Sequence, residues 1–395
     1  MDSRRYAKDM VEGNSDIIIQ PIIKYEPWDF EESRQTDGIS VAPFISVVLT
    51  CRERKAFIKR AVNSIFQQKL PHELFEVIVV KSFLDDDIDK YLKSKDILIL
   101  QDTHHELAHK IASGVAKARG QIISLLEDDD EFMPAKLDTI YKLFSNNKNL
   151  TFVRDRIEAI DEQGETISFS AHSHSQAIDS FVAETPLDFH KDITKFIKCG
   201  AGAYVSAMSI RRETLNQYIE KLEALPGGAD AFLFTAAVAA GGAVAYESKV
   251  LTRYRVHNFH SVPNTAKTLD QRETIQTFVY RQRMYAEAAN TLLAISKGTV
   301  AWEYASFFFG CNVIRLHLLD SRPRLPPPFA IKNLLSQRRI LFRSLLALRL
   351  LLVVLLKILF PNTISNIYTN LSIANLRSNN ISPKYNIKTR FRLLK

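Results

Sequence analysis

The chain has 395 residues, of which 46% are hydrophobic, and a formal net charge of +8 at pH 7. This length and composition are ordinary for a globular protein with one large domain and a smaller region. The positive charge is confined to residues 331–395, which contain twelve Lys or Arg and no Asp or Glu, so residues 1–330 carry −4. The main part of the chain lacks the basic footprint of a nucleic-acid-binding protein, and we expect no nucleic-acid partner.

The cysteines and the first residues of the chain indicate the cellular compartment of the protein. Cys51, Cys199 and Cys311 lie far apart, and their odd number fits neither a disulfide framework nor a zinc site. Residues 1–5 lack the apolar core of a secretory signal peptide. We therefore expect a cytoplasmic protein with reduced cysteines.

Residues 1–43 mix charges with three prolines and are predicted to be an extension of the main domain. From residue 44 onward, apolar runs alternate with helical periodicity. The predicted strands are 44–49, 75–80, 97–100 and 122–126, and the predicted helices are 57–66, a segment after Asp85, and 106–118. This alternation favours an α/β fold, in which a mostly parallel sheet is covered by helices on both faces.

Five consecutive acids, residues 127–131, follow the fourth predicted strand. Ligands of parallel sheets bind beyond the carboxyl ends of the strands, where this run lies. Because adjacent carboxylates repel one another, we expect a counter-charge, and a divalent cation with oxygen ligands is the usual one. The alternative is an acidic first turn stabilised by the dipole of the next helix.

The second half of the chain is less regular. A turn is predicted at 160–164, strands at 204–210 and 249–257, and helices at 212–225, 231–240 and 265–319. A proline-rich linker at 321–328 precedes the basic tail. The predicted organisation is the extension 1–43, the main domain 44–262, a helical extension with the linker at 263–330, and the tail 331–395.

Four segments of the main domain carry motifs: FISVVLTCRER (44–54), FEVIVV (75–80), GVAKARGQIISLLEDDDEF (114–132) and LTRYRVH (251–257). In this order and at these separations, they resemble inverting family 2 glycosyltransferases of the GT-A fold. The resemblance covers about residues 44–260. It implies a Rossmann-like sheet and transfer of one sugar from a nucleotide diphosphate sugar with inversion.

The family's Asp-x-Asp motif is occupied here by Glu127, Asp128 and Asp129. The resemblance implies that Glu127 faces the ribose or the metal, that Asp128 belongs to the donor site, and that Asp129 is the main ligand of Mg²⁺ or Mn²⁺. A cation that bridges the phosphates stabilises the charge that develops on the departing nucleoside diphosphate.

The resemblance places Thr50 and Arg54 beside the base and the phosphates, with a polar surface loop as the alternative. After the second strand the family commonly has an acid that reads the base, whereas this chain has Lys81 and Ser82. Either the backbone and Ser82 read the base, or the donor is not the usual uridine nucleotide.

Three further basic residues are candidates for the diphosphate. Lys110 lies near the family's phosphate-side position, although a solvated helix lysine is the alternative. By resemblance, Arg255 would neutralise phosphate and His257 would lie near the diphosphate or the metal, with a structural role for His257 as the alternative. The other histidines, including His104 and His109, show no acid or cysteine at metal spacing and are interpreted as surface residues.

Inversion requires a carboxylate that accepts the proton of the acceptor hydroxyl as it attacks the anomeric carbon. In the family this acid opens a helix after a segment that residues 206–213 resemble, and Asp230 occupies its position. Asp230 is the only acid between Glu223 and Glu247. A role as helix N-cap is the alternative for Asp230, and the two roles are compatible.

The tail contains a segment, 339–360, whose basic residues fall within an arc of about 120° on a helical wheel. Its longest uncharged apolar run, 350–356, is shorter than the ~20 residues of a spanning helix. A basic helix that lies in the membrane interface is favoured, with a tilted spanning helix or packing on a partner protein as alternatives. Such an anchor would bring the site near a lipid-linked glycan acceptor.

The sequence therefore predicts a metal-assisted, inverting glycosyltransferase at the cytoplasmic face of a membrane. Two alternatives remain. One is a catalytically degenerate domain that binds a glycan or a partner. The other is a nucleotidyltransferase, which should have a glycine-rich phosphate loop, and residues 50–54 contain no glycine.

Overall fold

A computed structural model describes residues 42–52, 55–167, 178–257, 271–319, 331–332 and 352–353, and it describes side chains of the helix starting at residue 271 from residue 283 onward. Arg54, residues before 42, the linker and the segment 339–360 apart from 352–353 lie outside the described residues. Their predicted roles stay predictions, as do the domain boundaries.

The described residues form a nine-stranded sheet and ten helices of five residues or more. The strands are β1 (Ile45–Cys51), β2 (Phe75–Lys81), β3 (Leu98–Gln101), β4 (Ile122–Glu127), β5 (Glu131–Phe132), β6 (Leu150–Ile160), β7 (Phe181–Ala183), β8 (Met208–Arg211) and β9 (Ala243–Arg255). The helices are α1 (Lys55–Phe66), α2 (Asp86–Lys93), α3 (Leu107–Lys117), α4 (Lys136–Asn146), α5 (Pro186–Lys198), α6 (Arg212–Asn216), α7 (Ile219–Glu223), α8 (Ala229–Ala239), α9 (Gln271–Ser296) and α10 (Ala301–Leu319).

The first four strands are parallel and lie side by side in the order β3-β2-β1-β4. The helices α1, α2 and α3 follow β1, β2 and β3 in turn. The predicted α/β class is therefore confirmed for this half of the sheet. The apolar runs were sufficient to place these strands because they are buried along nearly their whole length, except for β3.

Helices cover both faces of this parallel part, as predicted. Val48 of β1 packs in a cluster with Ile111 of α3, whereas its neighbour Val47 packs in a second cluster with Ile58 of α1. All four side chains are fully buried. The alternation follows from the two-residue period of a strand, which sends successive side chains to opposite faces.

The later strands extend the sheet with mixed pairing. β8 lies antiparallel between β4 and β6, β9 lies parallel to β6, and β5 and β7 pair antiparallel with β9. The sequence analysis missed the strands β5, β6 and β7 and the helix α5. The pattern of β6 is broken by Arg154, Asp155 and Arg156, and the buried carboxylate of Asp155 is neutralised by an ion pair with the buried Lys136.

The carboxyl ends of β1, β2 and β4 form one edge of the sheet. Thr50 pairs with Glu127, and Cys51 pairs with Lys81. Asp102 follows β3, and its backbone N–H donates to the Lys81 carbonyl at 2.9 Å. The acidic run and the residues that follow the first three strands therefore lie along a common edge.

No helix in the described part of the chain is long and apolar enough to cross a membrane. α9 and α10 pack on each other and on α8, so that Ala288 and Leu292 are fully buried. The ring of Tyr304 in α10 meets Phe234 of α8 edge to face at 4.9 Å. A Cβ at Gly202 would lie only 1.9 Å from the Tyr304 hydroxyl oxygen, so the loop before β8 approaches α10 closely.

Candidate active site at the carboxyl edge of the sheet

Backbone groups hold the start of the acidic run against the end of β1. The Asp128 N–H donates to the Thr50 carbonyl at 3.1 Å, and the Arg52 N–H donates to the Asp128 carboxylate at 2.9 Å. Thr50 and Asp128 are buried. Within the described residues, the buried Thr50 hydroxyl has no hydrogen-bond partner. These two predicted donor-site residues therefore lie together.

Asp129 is paired with His257, which follows β9. Asp129 Oδ2 and His257 Nε2 are 2.9 Å apart, and both side chains are buried. The Phe57 ring of α1 packs on the imidazole with a centroid distance of 5.0 Å. Two of the predicted metal ligands, 128 positions apart in sequence, are adjacent in the fold.

Glu127, the third predicted metal ligand, is partly buried at the end of β4. Within the described residues, the one group of three or more His, Cys, Asp or Glu whose ligand atoms all lie within 4.8 Å of one another is found elsewhere, around Asp102. Protein sites for Mg²⁺ often supply only one or two carboxylates, and phosphate oxygens and water complete the coordination. Asp129 and His257, with Glu127 nearby in sequence, fit a cation of this kind.

Arg255 of β9 is fully buried and ties the acidic run to the turn after β6. Its guanidinium forms an ion pair with Glu131 and donates to the carbonyls of Asp129 at 2.9 Å and Asp161 at 2.7 Å. Its backbone N–H donates to Asp130 Oδ1 at 2.9 Å. These contacts give Arg255 a structural role, and its predicted contact with phosphate stays a prediction.

The surroundings of Asp130 favour its protonated form. Burial raises the pKa of Asp130 well above its usual range, and the charges of Asp129 and Glu127 raise it further. Hydrogen bonds from Ser206 and from the Arg255 backbone oppose this shift without reversing it. The Ser206 hydroxyl also accepts the Glu127 N–H at 3.0 Å, so it connects the end of β4 with Asp130.

The protein itself therefore offsets much of the repulsion among the five acids. Glu131 pairs with Arg255 and, at 3.2 Å, with Arg253. Asp129 is hydrogen-bonded to His257, and burial raises the pKa of Asp130, which favours its neutral form. The expected counter-charge is thus supplied in part by β9, and the number of acids does not by itself require a cation.

Two partly buried tyrosines in contact with each other lie near the acidic run and near Asp230. Tyr204 and Tyr254 meet edge to face with ring centroids 5.1 Å apart. Burial raises the pKa of Tyr254, and the charges of Asp130 and Asp129 raise it further. Burial raises the pKa of Tyr204 to about 12, and the charge of Asp230 contributes. The two acidic groups therefore approach the same pair of rings.

Tyr204 has a left-handed backbone conformation, with φ of +65°. This conformation costs about 1–2 kcal/mol for a residue with a Cβ, and such residues are concentrated at functional sites. The Arg154 guanidinium lies 5.5 Å from the ring centre of Tyr204 and donates to the Gly200 carbonyl at 3.2 Å. A strand was predicted from residue 204, so the sequence analysis did not anticipate this backbone conformation. β8 begins only at Met208, after a 3-10 turn at Val205–Ala207.

Asp230 lies in the first turn of α8 and is partly exposed. Its Oδ1 accepts the N–H of Ala231 at 2.9 Å, and a carboxylate at this end of a helix is stabilised by the helix dipole. The N-cap itself is Gly228, whose φ of +69° suits glycine. The alternative interpretation of Asp230 as the N-cap is therefore wrong, and its role as a base stays a prediction.

The predicted lysine and serine candidates occupy the opposite part of the edge. Lys110 of α3 is fully buried, burial lowers its pKa, and its ammonium donates to the His104 carbonyl. The alternative of a solvated helix lysine is therefore wrong. Lys81 is also buried and forms an ion pair with Asp89 at 2.7 Å, while Ser82 beside it is partly exposed.

A second polar cluster lies after β3. The Asp102 carboxylate is hydrogen-bonded to His104 Nδ1 at 2.9 Å, to His109 Nδ1 at 2.8 Å and to Ser113 Oγ at 2.6 Å. The prediction that His104 and His109 have no acid partner is wrong, although His104 is exposed as predicted and His109 is partly exposed. The loop before α3 folds back over the first turns of that helix, and spacing in the sequence did not reveal this contact.

Comparison with known proteins agrees with the motifs. Residues 46–219 match the family model for glycosyl transferase family 2. An uncharacterized glycosyltransferase of Methanocaldococcus jannaschii is 27% identical over 128 residues, which are 31% of this chain and 44% of that protein. Another, of Haemophilus influenzae, is 25% identical over 111 residues, 28% of this chain and 37% of that protein. Residues 46–219 are thus similar to family 2 glycosyltransferases, and the chain matches less than half the length of either relative.

Solved structures resemble the chain more distantly. TarS of S. aureus in complex with UDP-GlcNAc has a TM-score of 0.44 at 14% identity, covering 75% of this chain and 89% of that chain. The mannosyltransferase PcManGT of Pyrobaculum calidifontis, in complex with GDP-Man and Mn²⁺, has a TM-score of 0.45 at 15% identity, covering 86% of this chain and 88% of that chain. At this distance neither similarity assigns a substrate.

Proposed function

We propose that this protein transfers one sugar from a nucleotide diphosphate sugar to an acceptor hydroxyl with inversion. The observation that carries the proposal is the contact of Tyr204 with Tyr254, because the charges of the acidic run act on Tyr254 and the charge of Asp230 acts on Tyr204. A donor held at the carboxyl edge of the sheet would then have the Asp230 carboxylate on the other side of these two rings. The family match at residues 46–219 supports the reaction class.

The donor diphosphate would lie over the start of the acidic run. Thr50 offers a buried hydroxyl that has no partner in the described part of the chain, and Asp128 lies next to it. A Mn²⁺ or Mg²⁺ ion held by Asp129 and His257, with Glu127 as a further candidate ligand, would neutralise the charge that develops on the leaving diphosphate. Arg54, Ser82 and Lys110 are the remaining candidates for contacts with the base and phosphates.

Asp230 would act as the general base. Its carboxylate accepts the proton of the acceptor hydroxyl while that oxygen attacks the anomeric carbon and the bond to the diphosphate breaks on the opposite face. General bases of this kind contribute about 10²–10⁴-fold to the rate. The raised pKa of Asp130 favours a neutral carboxyl group beside the site, which would limit repulsion of an anionic donor.

The acceptor would be a glycan carried by a lipid at the cytoplasmic membrane surface. This part of the proposal rests on the basic amphipathic segment 339–360, whose pattern suits an interface with anionic lipids. Flotation of the purified chain with vesicles of anionic lipid tests it. A chain that remains unbound, or that binds neutral vesicles equally well, would contradict a basic membrane anchor.

The reaction is tested with the full chain and a panel of uridine, guanosine and thymidine diphosphate sugars. Melting temperature and release of nucleoside diphosphate are measured with Mn²⁺, with Mg²⁺ and with EDTA. We expect one donor to raise the melting temperature in the presence of metal and to be slowly hydrolysed. The absence of both stabilisation and release for every donor would overturn the proposal.

A catalytically degenerate domain that only binds its ligand is the second candidate. It is favoured by Lys81, which stands where the family commonly has an acid and is buried against Asp89. In the same panel, this candidate predicts stabilisation by a nucleotide with no release of diphosphate at any metal concentration.

A further inference from the structure

We propose that Asp102, His104 and His109 form a second metal site, which binds a transition-metal ion such as Zn²⁺. The three residues belong to the loop after β3 and the first turn of α3, and they are separate from the acidic run. Two imidazoles with one carboxylate form a ligand set that suits Zn²⁺ and similar ions better than Mg²⁺.

The ligand atoms are already gathered. Asp102 Oδ1 lies 2.9 Å from His104 Nδ1, and Asp102 Oδ2 lies 2.8 Å from His109 Nδ1. All three ligand atoms lie within 4.8 Å of one another. In a tetrahedral zinc site with bonds of about 2.0–2.2 Å, neighbouring ligand atoms are about 3.4 Å apart. Each imidazole faces a different oxygen of Asp102 and the two rings are stacked, so the rings would have to turn, with shifts of up to about 1.4 Å, to convert the hydrogen-bonded cluster into a coordination site.

The outer partners also match a metal site. Ligating imidazoles usually donate their second ring N–H to a carboxylate or a carbonyl, which orients the ring. His109 Nε2 lies 3.3 Å from Glu223 Oε1, while its Nδ1 faces Asp102. The Asp102 carboxylate is itself held by the Ser113 hydroxyl at 2.6 Å and by the His104 N–H at 3.0 Å.

The site has one open side. The side chain of Asp102 is 5% exposed and that of His109 is 17% exposed, whereas that of His104 is 56% exposed. An ion can enter past His104, and water can supply the fourth ligand. The charges of Asp102 and Glu223 favour a dication. The nearby Lys110 opposes it, although burial lowers the pKa of that lysine.

The competing account is a cluster of hydrogen bonds with no metal. The His104 and His109 rings stack with centroids 3.5 Å apart, and both present Nδ1 to one carboxylate. An ion that binds needs the lone pair of each Nδ1, so a neutral imidazole carries its N–H on Nε2, and an imidazole protonated on both nitrogens must lose one proton to the buffer. Metal binding should therefore weaken as the pH falls, because protons compete with the ion for the imidazoles.

The test uses the full chain, stripped with EDTA and then saturated with Mg²⁺ so that sites with oxygen ligands are filled. Co²⁺ is titrated and followed by its visible absorption, and Zn²⁺ is then added as a competitor. We expect one equivalent of Co²⁺ to bind at neutral pH, to bind more weakly as the pH falls, and to be displaced by Zn²⁺. No nucleotide is present, so the outcome is independent of the proposed transferase activity.

His104→Ala and His105→Ala form a matched pair, since both side chains are exposed and their loss should leave the fold intact. Circular dichroism checks the folding of each variant. We expect His104→Ala to weaken Co²⁺ binding by about 10-fold or more and His105→Ala to leave it unchanged. Absent absorption in the wild type, or equal binding in both variants, would overturn the metal site and leave a hydrogen-bonded cluster only.

Discussion

The rings of Tyr204 and Tyr254 meet edge to face at 5.1 Å, and each lies in the field of a different acidic group. The charges of Asp130 and Asp129 after β4 raise the pKa of Tyr254, whereas the charge of Asp230 at the start of α8 raises the pKa of Tyr204. Two carboxylate groups from distant parts of the chain are thereby placed near one aromatic wall. In the proposed reaction this wall lies between the donor diphosphate and the base.

Replacement of Asp230, the proposed general base, should slow the chemical step without weakening donor binding. Asp230→Asn keeps the shape of the side chain but cannot accept the proton of the acceptor hydroxyl. We expect kcat to fall by about 10²–10⁴-fold, with little change in the donor concentration that gives half-maximal stabilisation. Steady-state kinetics and thermal shift with the identified donor measure the two quantities.

Asp188→Asn is the matched control, because Asp188 is also an acid in the first turn of a helix, α5. It should retain the activity of the wild type. If Asp230→Asn were as active as this control, the base would have to be sought elsewhere.

Binding of the proposed metal ion at the donor site should depend on Asp129 and His257. Asp129→Asn removes a charged ligand and leaves the shape of the pair with His257 intact. We expect the donor to stabilise this variant no better with Mn²⁺ than with EDTA. The measurement is the difference in melting temperature between the two conditions. Retention of the full wild-type difference would contradict a role for Asp129 in metal binding.

Arg255 should be important for stability whatever its role in binding. Arg255→Ala would leave Glu131 and three backbone carbonyls without their buried cationic partner. Removal of one member of a buried ion pair costs about 3–5 kcal/mol in the free energy of unfolding. Urea denaturation followed by circular dichroism measures this loss. Arg253→Ala is the control and should cost less, because the Arg253 side chain is 26% exposed.

The raised pKa of Asp130 predicts a dependence of stability on pH. The unfolded chain loses this proton near pH 4, whereas the folded protein retains it to higher pH. Above about pH 4 the folded state therefore binds more protons, and stability falls by about 1.4 kcal/mol per pH unit until the folded pKa is reached. The contribution is fully present below pH 4 and is lost as the pH rises.

Asp130→Asn should remove this contribution, since the amide can still accept the N–H of Arg255. We expect the variant to be more stable than the wild type at neutral pH and to converge with it near pH 4. Urea denaturation at several pH values checks the slope. Parallel curves for the two proteins would mean that Asp130 is ionised in the folded state.

The parallel half of the sheet was predictable because its strands are continuous apolar runs followed by amphipathic helices. β6 was not, because its central charges are neutralised by partners remote in sequence. Lys136 lies in α4 and bonds Asp155 across the core, and Thr252 of β9 donates to the same carboxylate at 2.8 Å. The hydrophobic pattern of one segment depends only on the side chains of that segment. It cannot reveal the remote residue that neutralises a buried charge.

The residue types and their order were sufficient to identify the family 2 motifs, the parallel half of the sheet and the edge at which the acids lie. Only the tertiary structure decided how those acids are stabilised, which residue caps α8, and that Asp102 faces two histidines. The spacing of residues along the chain determines whether a segment forms a helix or a strand. Ion pairs and ligand contacts join residues that are distant in the sequence, so they can be identified only from the distances between separate elements of the fold.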